Sequence, residues 1–166
     1  MNILKTQLDK VFLIQNKPFY DFRGKYLEIY NRDFLKKKFK LNFIQDDISI
    51  SKKNVLRGIH GDSKTWKLVT CLYGKIKLLV VNNDEKSKQY KKYSIFLLSN
   101  KNNNQVLIPP KFGNGHYILS NFAIFHYKQT TNYNRKSQFS IKWNSKDFNF
   151  KWGIKKKPIL SSRDLA

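Results

Sequence analysis

The stretch KLVTCLYGKIKLLVV, residues 67–81, consists of two apolar-rich runs on either side of a single glycine. Runs of this length, rich in aliphatic and β-branched residues with a turn residue between them, predict two strands joined as a hairpin. The expected strands are 67–73 and 75–81, with Gly74 in the turn. Asparagine and aspartate at 82–84 then end the second strand with turn chemistry. This stretch indicates a β fold.

Shorter stretches of the same kind follow through the rest of the chain. The polar segment 100–104 and the dipeptide Asn121-Phe122 separate them, which predicts two further hairpins. One short helix is predicted around 33–39, where an aspartate gives an acidic start. These patterns predict an all-β sandwich or barrel with short peripheral helices, organised as one domain over residues 1–166. The further predicted strands are 93–98, 105–108, 117–120, 123–129 and 139–143.

The composition excludes several classes of protein. Apolar residues make up 40% of the 166 residues and aromatic residues 15%, which is too much for a disordered chain. The one cysteine, Cys71, lies in an apolar run and is expected to be buried, so no disulfide can form within the chain. The first residues lack a signal peptide, and no stretch approaches the roughly 20 apolar residues of a membrane span. We therefore expect a cytoplasmic protein with no membrane partner.

The net charge of +22 at pH 7 is the feature that most readily suggests binding to nucleic acid. The lysines are scattered along the whole chain, however, and only 36–38 and 155–157 form triples. Asparagine, isoleucine, phenylalanine and tyrosine are also used heavily, which is the bias that AT-rich coding produces. We interpret the charge chiefly as compositional drift and expect no nucleic-acid partner.

Four short motifs carry information beyond the fold class. They are LRGIH at 56–60, PPKFGNGH at 109–116, DFRG at 21–24 and LSSRD at 160–164. In this order and spacing they resemble the signature of the dTDP-4-dehydrorhamnose 3,5-epimerase family, and the resemblance runs from about residue 19 to residue 164. It implies a cupin fold, that is, a double-stranded β-helix or jelly-roll barrel, in a homodimer that exchanges N-terminal strands. It also implies an isomerase that inverts carbons beside the ketone of a 4-keto-6-deoxy nucleotide sugar.

The same resemblance implies roles for three residues in proton removal. His60 matches the base, a task that suits imidazole because its pKa lies near working pH. Asp164 matches the carboxylate that orients the ring and stabilises the imidazolium. Lys67 matches the lysine that faces the 4-oxygen of the sugar and stabilises the enolate. The segment 61–65 is shorter than in the family, so the surroundings of the substrate above His60 should differ.

Four further residues are expected at the sugar. Tyr127 matches the acid on the opposite face of the ring, and Tyr133 matches a second tyrosine of the pocket, with a packing role equally open. Asn114 stands where the family usually has a histidine, and His116 stands at the usual aromatic position. Asparagine cannot be a general base, but it can donate a hydrogen bond to a ketone or hydroxyl. This departure resembles a branch that acts on GDP-linked 4-keto heptoses in capsule biosynthesis, and it leaves open whether C3 alone or both C3 and C5 are inverted.

Four residues are expected at the nucleotide. Arg23 matches an arginine that reaches the diphosphate in the partner subunit, and Arg57 matches another phosphate contact, since a planar guanidinium suits paired phosphate oxygens. Glu28 and Gln45 match positions near the base and its sugar. The adjacent pair Asp46 and Asp47 stands where the family often has Asp-Asn. Part of the positive charge would then attract the diphosphate.

No metal or other cofactor is expected. The chain has three histidines, His60, His116 and His126, and none belongs to a His-x-His pair. The family needs no metal because the substrate ketone already acidifies the neighbouring C–H bonds. One rival interpretation is a 3,4-ketoisomerase of the same fold, although that group usually has two adjacent histidines and Gly61 follows His60 here. The rival from another class is a non-catalytic basic module that binds polyanions or glycans.

Overall fold

The computed structural model describes residues 1–165, which form thirteen strands, two α-helices and one 3-10 helix. The helices are α1 (Arg32–Phe39) and α2 (Ser162–Leu165), and the 3-10 helix is Arg135–Ser137. The strands are β1 (Asn2–Lys5), β2 (Phe12–Gln15), β3 (Phe19–Asp21), β4 (Gly24–Tyr26), β5 (Gln45–Lys52), β6 (Leu56–Gly61), β7 (Lys67–Tyr73), β8 (Lys75–Asn82), β9 (Tyr93–Ser99), β10 (Asn104–Ile108), β11 (Phe112–Ile118), β12 (Phe122–Gln129) and β13 (Phe139–Ser140). The prediction of an all-β fold with short helices is confirmed.

Two antiparallel sheets form the body of the molecule. Sheet A has the strand order β1-β2-β10-β7-β12-β5, and sheet B has the order β13-β6-β11-β8-β9. A third, two-stranded sheet consists of β3 and β4 alone. From β5 to β8 and again from β9 to β13, each strand lies in the opposite sheet from the one before it. This alternation is the arrangement of a jelly-roll barrel.

The three predicted hairpins are wrong in their pairing, although their strands exist. The runs on either side of Gly74 are β7 in sheet A and β8 in sheet B, so the chain crosses between sheets at this glycine. The segments 100–104 and 121–122 are crossings of the same kind, from β9 to β10 and from β11 to β12. Turn chemistry at a sheet corner resembles turn chemistry in a hairpin, because both reverse the chain over a few residues.

Gly74 is required at its corner for two reasons. Its φ of +82° lies in the region that side chains with a Cβ rarely adopt. A Cβ at this position would also lie 2.4 Å from the main-chain oxygen of Phe122, at the next corner along the same edge. The glycine that suggested a hairpin turn therefore allows two corners of the barrel to pack together.

The core explains why β8 is an almost continuous apolar run. Ile76, Leu78 and Val80 face sheet A and pack in the main core with residues such as Val69 and Val106. Leu79 and Val81 point the other way, where the C-terminal segment covers them with Trp152. A strand buried on both faces loses the alternation of apolar and polar residues that marks a half-exposed strand.

Several boundaries and elements differ from the sequence-based expectation. The predicted helix at 33–39 is α1, in which the Asn31 side chain caps the start by accepting from the Phe34 N–H. The predicted strand 139–143 is reduced to the two residues of β13, and the one predicted at 117–120 is the end of β11. Sequence patterns did not identify β1 to β6, because β1 to β4 are only three or four residues long, β5 is largely polar and β6 contains two glycines.

Candidate active site

A cavity of about 270 Å³ opens between the two sheets. Sheet A supplies side chains from β5, β7 and β12, and sheet B supplies them from β6 and β11, with the C-terminal segment along one side. All five residues with a predicted catalytic role line this cavity: His60, Lys67, Asn114, Tyr127 and Asp164. Three with a predicted binding role also line it, namely Arg57, His116 and Tyr133. Arg23, Glu28 and Gln45 do not.

The two glycine-containing motifs meet because β6 and β11 are neighbouring strands. In their register, Asn114 lies opposite His60. The two backbones approach so closely at Gly58, whose φ is +110°, that a Cβ there would lie 2.6 Å from the Cα of Gly115. Glycine in both motifs therefore allows the close contact that sets His60 beside Asn114.

His60 and Asp164 form a pair at the wall of the cavity. The Nε2 atom of His60 lies 2.9 Å from Oδ1 of Asp164, within ion-pair distance. Burial alone would raise the pKa of the Asp164 carboxyl, but its contacts with His60 and Ser161 outweigh this and hold that pKa below its usual value. Asp164 is only 8% exposed, so it is an integrated residue and not part of a frayed terminus.

Lys67 and Asn114 form a second pair. The Lys67 Nζ donates to Oδ1 of Asn114 over 3.3 Å. Burial lowers the pKa of Lys67, and Arg163 lowers it further, while Asp62 acts in the opposite direction. Because the amide oxygen of Asn114 faces the lysine, its NH₂ group is the part that remains for another partner. The pair offers two donors to an oxygen that acquires negative charge.

Tyr127 lies on β12 of sheet A, whereas His60 lies on β6 of sheet B. Burial raises the pKa of the Tyr127 phenol, with smaller contributions from Asp47 and Tyr133 and an opposing one from Arg57. The phenol is therefore protonated at neutral pH and can act as an acid. A molecule held between the two sheets would have a base on one side and an acid on the other.

His116 is a neutral imidazole inside the barrel. Its ring stacks on Phe125, with the ring centres 4.0 Å apart. Burial lowers the pKa of His116 to about 3, with the positive charge of Arg57 acting in the same direction. The ring can exchange hydrogen bonds with a bound molecule, but it carries no charge near neutral pH.

Two arginines line the cavity. Arg57 donates through Nε to Ser51 Oγ over 2.9 Å. Arg163 donates to the Tyr133 hydroxyl over 3.3 Å and to Gln138 Oε1 over 3.1 Å. Arg163 was not among the predicted site residues, although it belongs to the 160–164 motif and precedes Asp164 directly. Its position in that motif was the signal that could have identified it.

The remaining predicted residues lie away from the cavity of their own chain. Arg23 follows β3, where its side chain is 76% exposed and pairs with Asp21. The Glu28 carboxylate accepts from the Asn31 side chain over 3.3 Å. Gln45 is bonded internally, since its amide NH₂ donates to Asp47 and its oxygen accepts from the main chain of Tyr133. Their roles at a nucleotide stay predictions.

Two further findings concern metals and membranes. Among residues 1–165, no three side chains of His, Cys, Asp or Glu lie together in a way that could hold a metal ion. The same stretch of chain contains no helix that is long and apolar enough to cross a membrane. Cys71 is buried as predicted, and burial raises the pKa of its thiol to about 11.

Comparison with known proteins gives one consistent result. The family model described as dTDP-4-dehydrorhamnose 3,5-epimerase matches residues 5–166. The curated dTDP-4-dehydrorhamnose 3,5-epimerase of Salmonella typhimurium strain LT2 is 36% identical over 171 residues, which cover 100% of this chain and 93% of the relative.

Solved structures agree with this similarity. A dTDP-4-dehydrorhamnose 3,5-epimerase from Elizabethkingia anophelis NUHP1 has a TM-score of 0.90 at 36% identity, covering 99% of this chain and 93% of its own. A dTDP-6-deoxy-D-glucose-3,5-epimerase from Legionella pneumophila Philadelphia 1, solved with dTDP-4-keto-L-rhamnose, has a TM-score of 0.94 at 33% identity, covering 99% and 89%. The cupin-type barrel implied by the sequence motifs is thus confirmed.

Proposed function

The chain belongs to the dTDP-4-dehydrorhamnose 3,5-epimerase family, an isomerase family, and we propose that it inverts C3 and C5 of a dTDP-linked 4-keto-6-deoxy sugar. The observation that carries this proposal is the division of the candidate base and acid between the sheets. His60 stands on sheet B and Tyr127 on sheet A, across one cavity. Inversion of a carbon requires removal of a proton on one face and delivery on the other.

The first step is removal of the proton beside the ketone. His60 takes it, and the ionised Asp164 stabilises the imidazolium that forms. The electron pair of the broken C–H bond forms a double bond to C4, and the π pair of the carbonyl group moves to the 4-oxygen, which becomes negatively charged. Lys67 and the NH₂ group of Asn114 then donate to this oxygen.

The second step delivers a proton from the other side. Tyr127 donates its phenolic proton to the same carbon, which completes the inversion and consumes the enolate. Tyr127 then regains a proton from solvent, and His60 releases the one it took. Each inverted carbon therefore gains one hydrogen from solvent, which makes the reaction visible in deuterated water.

Two features support a homodimer in which N-terminal strands are exchanged. β3 and β4 pair only with each other and present exposed aromatic side chains to solvent: Phe19, Tyr20, Phe22 and Tyr26. Arg23 lies between these strands and outside the cavity of its own chain. We propose that this segment reaches the partner, where Arg23 joins Arg57 at the diphosphate.

The names of the relatives support a dTDP-linked sugar as the substrate class. The narrower prediction, that the substrate is a GDP-linked 4-keto heptose of capsule biosynthesis, is supported by Asn114 alone. Asn114 is also the reason to consider inversion at C3 alone. Its amide contacts Lys67, so the two side chains together would set how the sugar ring lies in the cavity.

One experiment tests the function. The protein is incubated in deuterated water with a dTDP-linked 4-keto-6-deoxy hexose or with a GDP-linked 4-keto heptose, and the products are analysed by mass spectrometry and NMR. Uptake of two deuterons with inversion at both carbons supports the 3,5-epimerase, and uptake of one supports C3 inversion alone. A shifted ketone identifies the 3,4-ketoisomerase. No uptake from either substrate, with salt-dependent binding to polyanions, would favour the non-catalytic basic module.

A further inference from the structure

The inward face of β5 is polar along its whole length. Gln45, Asp47, Ser49 and Ser51 alternate with outward residues that are exposed to solvent. The register with β12 sets Asp47 opposite Tyr127 and Gln45 opposite Gln129. A strand that lines a barrel interior is normally apolar on that face, so this polar row needs an explanation.

One carboxylate oxygen of Asp47 accepts hydrogen bonds from two glutamine side chains. Oδ2 of Asp47 accepts from the amide of Gln45 over 2.7 Å and from the amide of Gln129 over 3.0 Å. An ionised carboxylate can only accept hydrogen bonds, whereas a glutamine amide can present either its oxygen or its NH₂ group. Asp47 therefore forces Gln45 and Gln129 to turn their NH₂ groups toward it.

The orientation imposed on Gln45 has a direct consequence at the cavity. With its NH₂ group held by Asp47, Gln45 presents its oxygen to the main-chain N–H of Tyr133, which donates over 2.6 Å. The Tyr133 side chain lines the cavity, and its hydroxyl accepts from Arg163. Tyr133 is thus held at two points, by a main-chain contact from β5 and by a side-chain contact from the C-terminal segment.

We propose that Asp47 is a positioning residue that fixes the amide orientation of Gln45, and through Gln45 fixes Tyr133 at the wall of the substrate cavity. The kinetic part of this inference rests on the proposed function, since it concerns binding of a sugar nucleotide. The hydrogen-bonded relay, from Asp47 through Gln45 to the main chain of Tyr133, does not depend on that function.

A polarity swap tests the relay. Gln45→Glu removes the NH₂ donor to Asp47 and sets a second carboxyl group against the first, which displaces the side chain at position 45 from Tyr133. Asp47→Asn in the same chain supplies an NH₂ group to the carboxylate introduced at position 45, whose other oxygen can again accept from the Tyr133 N–H. The double variant has the same net charge as the natural protein. Asp47→Asn alone keeps an acceptor for both glutamines but loses the fixed polarity, so its effect should be smaller.

The first readout is hydrogen exchange at the Tyr133 amide, which needs no substrate. We expect Gln45→Glu to exchange about tenfold faster, the size of one lost hydrogen bond, and to raise the KM for the sugar nucleotide by a similar factor with a smaller change in kcat. The double variant should return to within about threefold of the natural protein on both measures. Ser49→Ala truncates the next inward side chain of β5 without touching the relay, and it should leave exchange at Tyr133 unchanged.

Two results would overturn the proposal. One is a double variant as impaired as Gln45→Glu, which would indicate that Gln45 contacts the substrate itself. The other is a Gln45→Ala protein whose Tyr133 amide exchanges at the natural rate, a test that stays valid if the double variant does not fold. If exchange follows the expected pattern while no substrate is converted by any variant, the relay stands and the proposed function fails.

Discussion

The change Tyr127→Phe separates the two proton transfers of the proposed reaction. It removes one hydroxyl and keeps the ring, so the packing against Phe125, with ring centres 5.6 Å apart, is retained. Loss of a general acid typically costs about 10²–10⁴-fold in rate. We expect net inversion to fall by this factor while the free energy of unfolding changes by less than about 1.5 kcal/mol.

Deuterium wash-in should respond differently from inversion in the same variant. His60 lies on the opposite sheet and keeps its contact with Asp164, so it can still remove a proton, exchange it with solvent and return it on the same face. We expect wash-in within about tenfold of the natural rate, because the base and the groups at the 4-oxygen are intact. Mass spectrometry and NMR on the same samples measure both quantities. Inversion by Tyr127→Phe at the natural rate would refute the assignment of acid and base to facing sheets.

The base, the absence of a metal, the exchanged segment and Asp164 each give a further prediction. His60→Asn should lower proton exchange at C3 by about 10²–10⁴-fold in a folded protein, and retention of more than a tenth of the activity would remove His60 from the role of base. Activity should survive prolonged treatment with a chelator, and a loss restored by one particular divalent ion would contradict a metal-free mechanism. Mixed dimers of Arg23→Ala and His60→Asn subunits should recover activity at the one intact site, whereas a mixed dimer seen by native mass spectrometry that stays inactive would show that Arg23 does not cross over. The pKa of Asp164 is depressed in the folded state, so its carboxylate stabilises the protein above its unfolded pKa of about 3.9. This stabilisation is lost as pH falls through the folded pKa. Thermal unfolding should therefore show Asp164→Asn less stable than the natural protein at pH 6, with the difference shrinking below about pH 4.

The strands from β7 to β13 could be predicted from the sequence, but the strands from β1 to β6 and the pairing of the strands could not. The run 67–81 contains two strands with nearly the predicted bounds, yet they lie in different sheets. Local residues determine that the chain turns at Gly74, whereas the partner of each strand depends on contacts between residues far apart in sequence. The apolar faces of β8 pack on both sheet A and the C-terminal segment, and only the complete fold reveals those neighbours.

The residues of the candidate site were more predictable than the pairing of the strands, because they lie in recognisable sequence motifs. His60, Asn114 and Asp164 come from three distant motifs and line one cavity. The supporting residues were harder to find, since Ser51 and Asp47 show a role only through the side chains they hold. A polar residue on a half-exposed strand is indistinguishable in sequence from one that faces solvent, until the register with β12 is known.

Asn114 and His116, where the chain departs from the usual family motif, are both neutral side chains in the cavity. The two residues alternate along β11 with Gly115 between them, so both side chains reach the same cavity. Asn114 is neutral by chemistry, and His116 is neutral because burial lowers its pKa to about 3. Neither can supply a positive charge to an enolate near neutral pH, so that task falls to Lys67, whose Nζ is held against Asn114. Burial lowers the pKa of Lys67 as well, and the same low-dielectric surroundings strengthen its attraction to a negatively charged oxygen once it is protonated. In the proposed reaction, Asn114 therefore orients the Lys67 ammonium group toward the 4-oxygen of the sugar.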